Sequence, residues 1–178
     1  IWDRGTRTEC SRRAVKLVFD HLRTAYSDGQ NRDARDGMSM AAYYAGMAIN
    51  QVNVGSVHAI AHQLGGKYGI PHGYANALVL PHVLEYCREE AGPRLAELAQ
   101  LIGVAEDGQT QAEQTLAFID AVRQLRSDVG IAETSDKVRA EDFDYLVDLA
   151  VAEGGGYLVP KLLDRHNTRA ILAKIAAN

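Results

Sequence analysis

GSVHAIAHQLGGKYGIPHGYANALVLPHVLEY, residues 55–86, holds four of the chain's six histidines and no acidic residue before Glu85. Val54 to Leu64 reads as a short helix stopped at Gly65-Gly66; a loop follows to Pro71, and a second helix runs from Tyr74 to Arg88. Pro81 removes one backbone donor from that second helix, which predicts a kink or a restart with Pro81 as an early helical residue. His58 and His62 are four residues apart, so their side chains share one helical face about 6 Å apart at Cβ. His72 can return to the same point because Gly65, Gly66 and Gly69 permit tight turns. Imidazoles among small and apolar residues suit an enclosed site, where a neutral nitrogen binds a metal or passes on a proton. The competing reading is a set of hydrogen-bonded packing histidines, and HxxxH spacing alone does not separate the two.

Outward from this stretch the chain is helical. Glu9 to Tyr26 places Ala14, Val15, Leu17, Val18, Leu22 and Ala25 at helical spacing among charged positions. Asn31 is a candidate cap for the next helix, whose small and apolar residues Met38, Ala41, Ala42, Ala45 and Ile49 predict burial on most sides. Gly92-Pro93 punctuates the chain, and further helices are expected at Arg94 to Ile102, Thr110 to Asp128, Ala140 to Glu153 and Thr168 to Ala177. No segment has a period-2 strand pattern and no repeat is present. The expected fold class is all-α. Glu141, Asp142, Asp144 and Asp148 read as a solvated helix face, and the second half carries no comparable chemistry.

Length and composition bound the function. The chain has 178 residues, 47% hydrophobic, with a net charge of −4, enough to bury a core in one domain or two small lobes. Without a basic run or basic-aromatic stripe, nucleic acid is not an expected partner. No apolar run approaches a membrane span and IWDRGTRTE contains no apolar signal core, so a cytoplasmic protein with no membrane partner is expected. Cys10 and Cys87 are too few for a disulfide scaffold. GxxxxGK[ST], GxGxxG after a strand, HExxH and GxSxG are all absent. No DxxxH occurs either, and no carboxylate has a distinctive sequence relation to the histidines.

The segment VHAIAHQLGGKYGIPHGYANALVLPHVLEY follows VHxxxHxLGxxYxxPHGxxNAxxLPHV, and AYYAGMAINQVNVGSVH leads into it. In this the chain closely resembles the iron-containing, group III, alcohol dehydrogenase family, firmly over Ala41 to Tyr86 and by helix pattern elsewhere. The resemblance implies two domains in the full protein: a Rossmann-like N-terminal domain for NAD or NADP, and a helical domain with a divalent metal, Fe2+ in many members and Zn2+ in some. By position in the motif, His58 and His72 match two metal ligands. His62 matches a histidine implicated in proton transfer, not metal binding, which departs from the spacing reading of three ligands. An aspartate and a further histidine complete the family's site from a DxxxH motif that this chain lacks. Residues 1–178 are therefore expected to be the helical C-terminal, metal-binding domain of a longer enzyme, inactive alone.

The implied activity is hydride transfer between a small-molecule alcohol and its aldehyde or ketone, by a homo-oligomer when full-length. Ile49 stands where many relatives have an aromatic residue lining the substrate pocket, and Gln51 where asparagine is common. Relatives that reduce maleylacetate share HxxxHxLGG but differ after the Pro-His pair, where this chain has Gly73. A maleylacetate-type reductase and a non-catalytic helical module are the rival expectations. His82 is expected to pack within a helix, and His21 and His166 have no motif context.

Overall fold

Side-chain caps set where several helices begin. Asn31 accepts a hydrogen bond from the Ala34 N–H at 3.0 Å, Thr110 and Glu113 form a reciprocal capping box, and Asp164 accepts from the Asn167 N–H at 2.8 Å. Each satisfies a donor that the first turn of a helix leaves without an intrahelical partner. The computed structural model describes residues 4–50 and 52–177. Among these residues it has eight α-helices: α1 (Arg4–Ser27), α2 (Arg32–Ile49), α3 (Ser56–Tyr68), α4 (His72–Tyr86), α5 (Arg88–Ile102), α6 (Gln111–Asp128), α7 (Phe143–Gly154) and α8 (Arg165–Ile175), with a 3-10 turn at Ala140–Asp142. No strand occurs among them, and an isolated parallel bridge pairs Ser135 with Ala176. The fold is all-α, as the sequence predicts. Gln51 lies outside the described residues.

The chain divides into two compact units, Ile1–Asn53 with Gly92–Val129, and Val54–Ala91 with Gly130–Asn178. In the first, α1 packs along α2. A Cβ added at the buried Gly37 would stand 2.3 Å from Cδ2 of His21, so glycine at this point is what lets the two helices close over that ring. Phe19 meets Phe118 of α6 with ring centroids 6.0 Å apart, and Arg23 pairs with Asp128 at 2.6 Å. The expectation that α2 is buried on most sides fails: Ala34, Gly37, Ala41 and Ala48 are buried, while Met40, Tyr43 and Ile49 are exposed. One stripe of α2 faces α1 with its close approach at Gly37, while Ala42 and Gly46 are exposed.

The second unit is built on α3, α4, α7 and α8. Ile60 and Leu64 from α3, Leu78 and Val79 from α4, Leu146 and Val147 from α7, and Leu172 and Ile175 from α8 are almost wholly removed from water in one continuous core. At about 1.5–3 kcal/mol for each large aliphatic side chain, this core is what holds the three histidine-bearing turns in place.

Several helix boundaries differ from the sequence reading, among them those of α3, α4, α5 and α8. Helix α3 runs through Gly65-Gly66 and stops at Gly69, whose left-handed φ of 65° lets its N–H close on the Gly65 carbonyl. Helix α4 passes through Pro81 without a restart and ends at Cys87. Helix α5 begins at Arg88 and continues through Gly92-Pro93, with the Gly92 carbonyl accepting a 3.0 Å bond from the Thr115 hydroxyl. Helix α8 starts three residues earlier than expected because Asp164, not a later residue, provides the cap. No helix among the described residues is long and apolar enough to cross a membrane. Both cysteines are free and buried.

Candidate functional site

Two helices and the turn between them converge three imidazoles. The buried positions of α3, Ser56, Ala59, Ile60, Ala61 and Leu64, commit one face to the core and leave His58 and His62 together on another. Gly69 ends that helix, Pro71 occupies the N-cap position of the next, and His72 is the first residue of α4. The ring centroids form a nearly equilateral triangle: 5.5 Å for His58–His62, 5.2 Å for His58–His72 and 5.4 Å for His62–His72. The spacing argument therefore brings together the residues it selected. Ile49 belongs to the other unit and is 43% exposed at the end of α2. His82 is half-buried in α4, and His166 is exposed.

The second half of the chain contributes what the sequence reading assigned to neither half. Oε1 of Glu153, the penultimate residue of α7, lies 2.7 Å from His62 Nδ1. The same oxygen accepts the Tyr157 hydroxyl at 2.6 Å, and Oε2 accepts Gln63 Nε2 at 2.7 Å. A carboxylate does stand close to the histidines in space, and it comes from 91 residues away, where no sequence relation marks it. Glu141, Asp144 and Asp148 are exposed, as a solvated face requires. Asp142 is not simply solvated: it pairs with Lys67 at 2.8 Å and accepts the Tyr68 hydroxyl at 3.0 Å.

Electrostatics distinguish the members of the cluster. Burial, reinforced by the neighbouring imidazoles of His72 and His62, lowers the pKa of His58 below its ordinary value, while Glu153 opposes the shift. The neutral, lone-pair-bearing ring is the favoured state there. Burial alone would raise Glu153, but hydrogen bonds from Tyr157, His62 and Gln63 outweigh it and hold its carboxyl below the usual range. The bond to Glu153 in turn raises the Tyr157 phenol. Asn76, one turn beyond His72, donates to the His72 carbonyl at 2.9 Å, and its Nδ2 lies 3.2 Å from His72 Nε2.

The donor set can be tested against a metal ion. With metal–nitrogen bonds of about 2.1 Å, two ligating imidazoles have ring centroids between about 4.5 Å apart at a right angle and about 5.2 Å apart at the tetrahedral angle. The 5.2 Å between His58 and His72 matches that span. Among the described residues, no group of three His, Cys, Asp or Glu side chains could hold a metal ion as a set of its own. The spacing of His58 and His72 is one that two ligands of a single ion could share, with no third ligand among the described residues.

Comparison with known proteins gives the family. The model for the Fe-containing alcohol dehydrogenase family, C-terminal, matches residues 6–176. The 1,3-propanediol dehydrogenase of Citrobacter freundii is 38% identical over 150 residues, covering 83% of this chain and 39% of that protein. A crystal structure of a 1,3-propanediol oxidoreductase superposes with a TM-score of 0.91 at 35% identity, over 96% of this chain and 45% of that one. An alcohol dehydrogenase from Oenococcus oeni does so with a TM-score of 0.88 at 37% identity, over 93% and 44%. The chain belongs to the Fe-containing alcohol dehydrogenase family and corresponds to its C-terminal region. It spans about two fifths of the length of the curated relatives it matches.

Proposed function

We propose that this chain is the helical, metal-binding C-terminal portion of a two-domain oxidoreductase that transfers a hydride between a small alcohol and its aldehyde or ketone, using NAD or NADP. The observation that carries this reading is the His58–His62–His72 triangle, on a stretch within the family match. His58 and His72 would hold a divalent ion, Fe2+ or Zn2+, with an aspartate and a histidine from elsewhere in the longer polypeptide. When bound, the ion supplies Lewis-acid polarisation of the substrate oxygen, and the nicotinamide accepts or supplies the hydride.

The chain's own residues supply the rest. His58 offers a neutral nitrogen because burial disfavours its charged form. The α3 and α4 cores fix the directions of both ligand rings, so no ordering of the helices is needed on binding. His62 takes up the alcohol proton in oxidation and returns it in reduction. Ile49 is assigned a pocket role by its position in the family motif alone, where its side chain would leave more room than an aromatic ring. The full-length protein is a cytoplasmic homo-oligomer in this reading.

Two variants of the full-length protein test it. His58→Ala should lose bound metal and turnover together. His62→Ala should keep its metal and slow by about 10²- to 10⁴-fold, the usual contribution of a positioned acid–base group. Normal metal content and turnover in the first would remove His58 from the ligand set. Complete metal loss in the second would return His62 to it.

A further inference from the structure

We propose that Glu153 is the positioning residue of the histidine cluster: it holds His62 in the tautomer protonated at Nδ1 and leaves Nε2 as the nitrogen that accepts and releases the substrate proton. This deepens the proton-handling role given to His62 and rests on it.

The contact is built from both sides. Helix α7 reaches α3 closely at its last turn, where a Cβ added to Gly154 would lie 3.5 Å from the Ala59 Cβ and 3.4 Å from Leu163 Cδ1. The residue before it, Glu153, is thereby delivered beside the next turn of α3, where His62 and Gln63 stand. An ionised carboxylate only accepts hydrogen bonds, and a neutral imidazole carries one N–H. The proton in the 2.7 Å contact therefore sits on Nδ1, which leaves Nε2 as the lone-pair nitrogen whenever the ring is neutral.

Glu153 is itself held on both oxygens. Tyr157 donates to Oε1 at 2.6 Å and Gln63 to Oε2 at 2.7 Å, and the Gln63 amide is fixed by a second bond to the Ala59 carbonyl at 3.0 Å. The carboxylate cannot swing away from His62 without giving up these partners. Gln63 and Tyr157 thus act through Glu153, and Glu153 acts through His62; none of the three needs to touch substrate.

The test uses Glu153→Gln and Glu153→Asp in the full-length protein, with two readouts. Long-range proton–nitrogen spectra of the metal-free protein, with His62→Ala assigning the signal, report which ring nitrogen carries the proton while the imidazole is neutral. Steady-state kinetics with metal analysis report kcat, KM and metal content. Expected are Nδ1–H in the parent, partial or full conversion to Nε2–H in Glu153→Gln with kcat down about 10- to 100-fold at unchanged KM and metal content, and recovery of both signals in Glu153→Asp. An Nε2–H parent, or an unchanged tautomer in Glu153→Gln, overturns the proposal; so does unchanged kcat when His62→Ala is slow. If His62→Ala itself turns over normally, the proton-handling reading fails, and the tautomer alone decides whether Glu153 positions the ring. Should Glu153→Gln not fold, Tyr157→Phe removes one bond and no charge: a smaller kcat loss with tautomer mixing supports the proposal, and no change in either refutes it.

Discussion

Replacing Gly37 with alanine sets two measurable effects against each other. The added Cβ would stand 2.3 Å from Cδ2, 2.5 Å from Cγ and 2.7 Å from Nε2 of His21. Carbon atoms in contact rest about 3.5–4.0 Å apart, so the ring has to withdraw by more than about 1 Å. Alanine gains α2 about 1 kcal/mol in helix propensity over glycine. Overpacking against a ring already seated between two helices costs about 1–3 kcal/mol. The net expectation runs from no change to a loss of about 2 kcal/mol, since the two effects partly cancel. In a His21→Ala background the obstruction is gone, and the same substitution should stabilise by about 1 kcal/mol. Urea midpoints of the four proteins, read by far-ultraviolet circular dichroism, give a coupling of about 1–3 kcal/mol between the two sites. If Gly37→Ala stabilised both backgrounds equally, His21 and Gly37 would not be in contact and the packing of α1 on α2 described above would be wrong.

Two further predictions concern the second unit. Gly69 has φ of 65°, a region that costs an L-residue about 1–2 kcal/mol, so Gly69→Ala should lower the Tm by several degrees. Gly66 has ordinary helical φ and open space around its Cα, so Gly66→Ala should raise it, and a rise in both would show that α3 does not end at Gly69. Asp142 is held below its ordinary pKa of 3.8, first by the hydrogen bond from Lys67. A depressed folded-state pKa means that its stabilisation is fully present above the unfolded value and is lost as pH falls through the folded one. Urea midpoints between pH 5 and pH 2 should therefore drop more steeply below pH 3.8 for the parent than for Asp142→Asn; parallel curves would remove Asp142 from the acid response.

What the sequence discloses depends on how local each feature is. The apolar period of α1 and the Asn31 cap are properties of a few neighbouring residues, and both were legible. So was the grouping of His58, His62 and His72, which needs only one helical turn and a short connection. Glycine and proline misled where their identity was taken as enough to end a helix. Gly65-Gly66 remain helical because the core residues on either side, Leu64 and Ile70, are buried, and the φ that ends a helix is needed only at Gly69. Gly92-Pro93 fall inside α5 because Cys87, which carries no turn signature, is where α4 ends. Glu153 could not have been found: its distance of 91 residues from His62 is closed by the packing of α7 on α3, and nothing in VAEGGGY marks that residue. The exposed face of α2 was misjudged because a run of small and apolar residues reads the same whichever side is covered.

Each imidazole in the triangle takes its direction from the buried side of its own helix, which gives the site an uneven tolerance to changes in chain length. A residue inserted between His58 and His62 would advance one ring by about 100° around α3, and the core contacts of that helix would hold the error in place. A residue added among Gly69, Ile70 and Pro71 could be taken up by the connection while α3 and α4 kept their seats. The four-residue interval inside the helix is thus a fixed angular setting, whereas the fourteen-residue interval from His58 to His72 is fixed only at its two ends. Natural or designed length variants that spare the first interval can still form the cluster; those that alter it cannot.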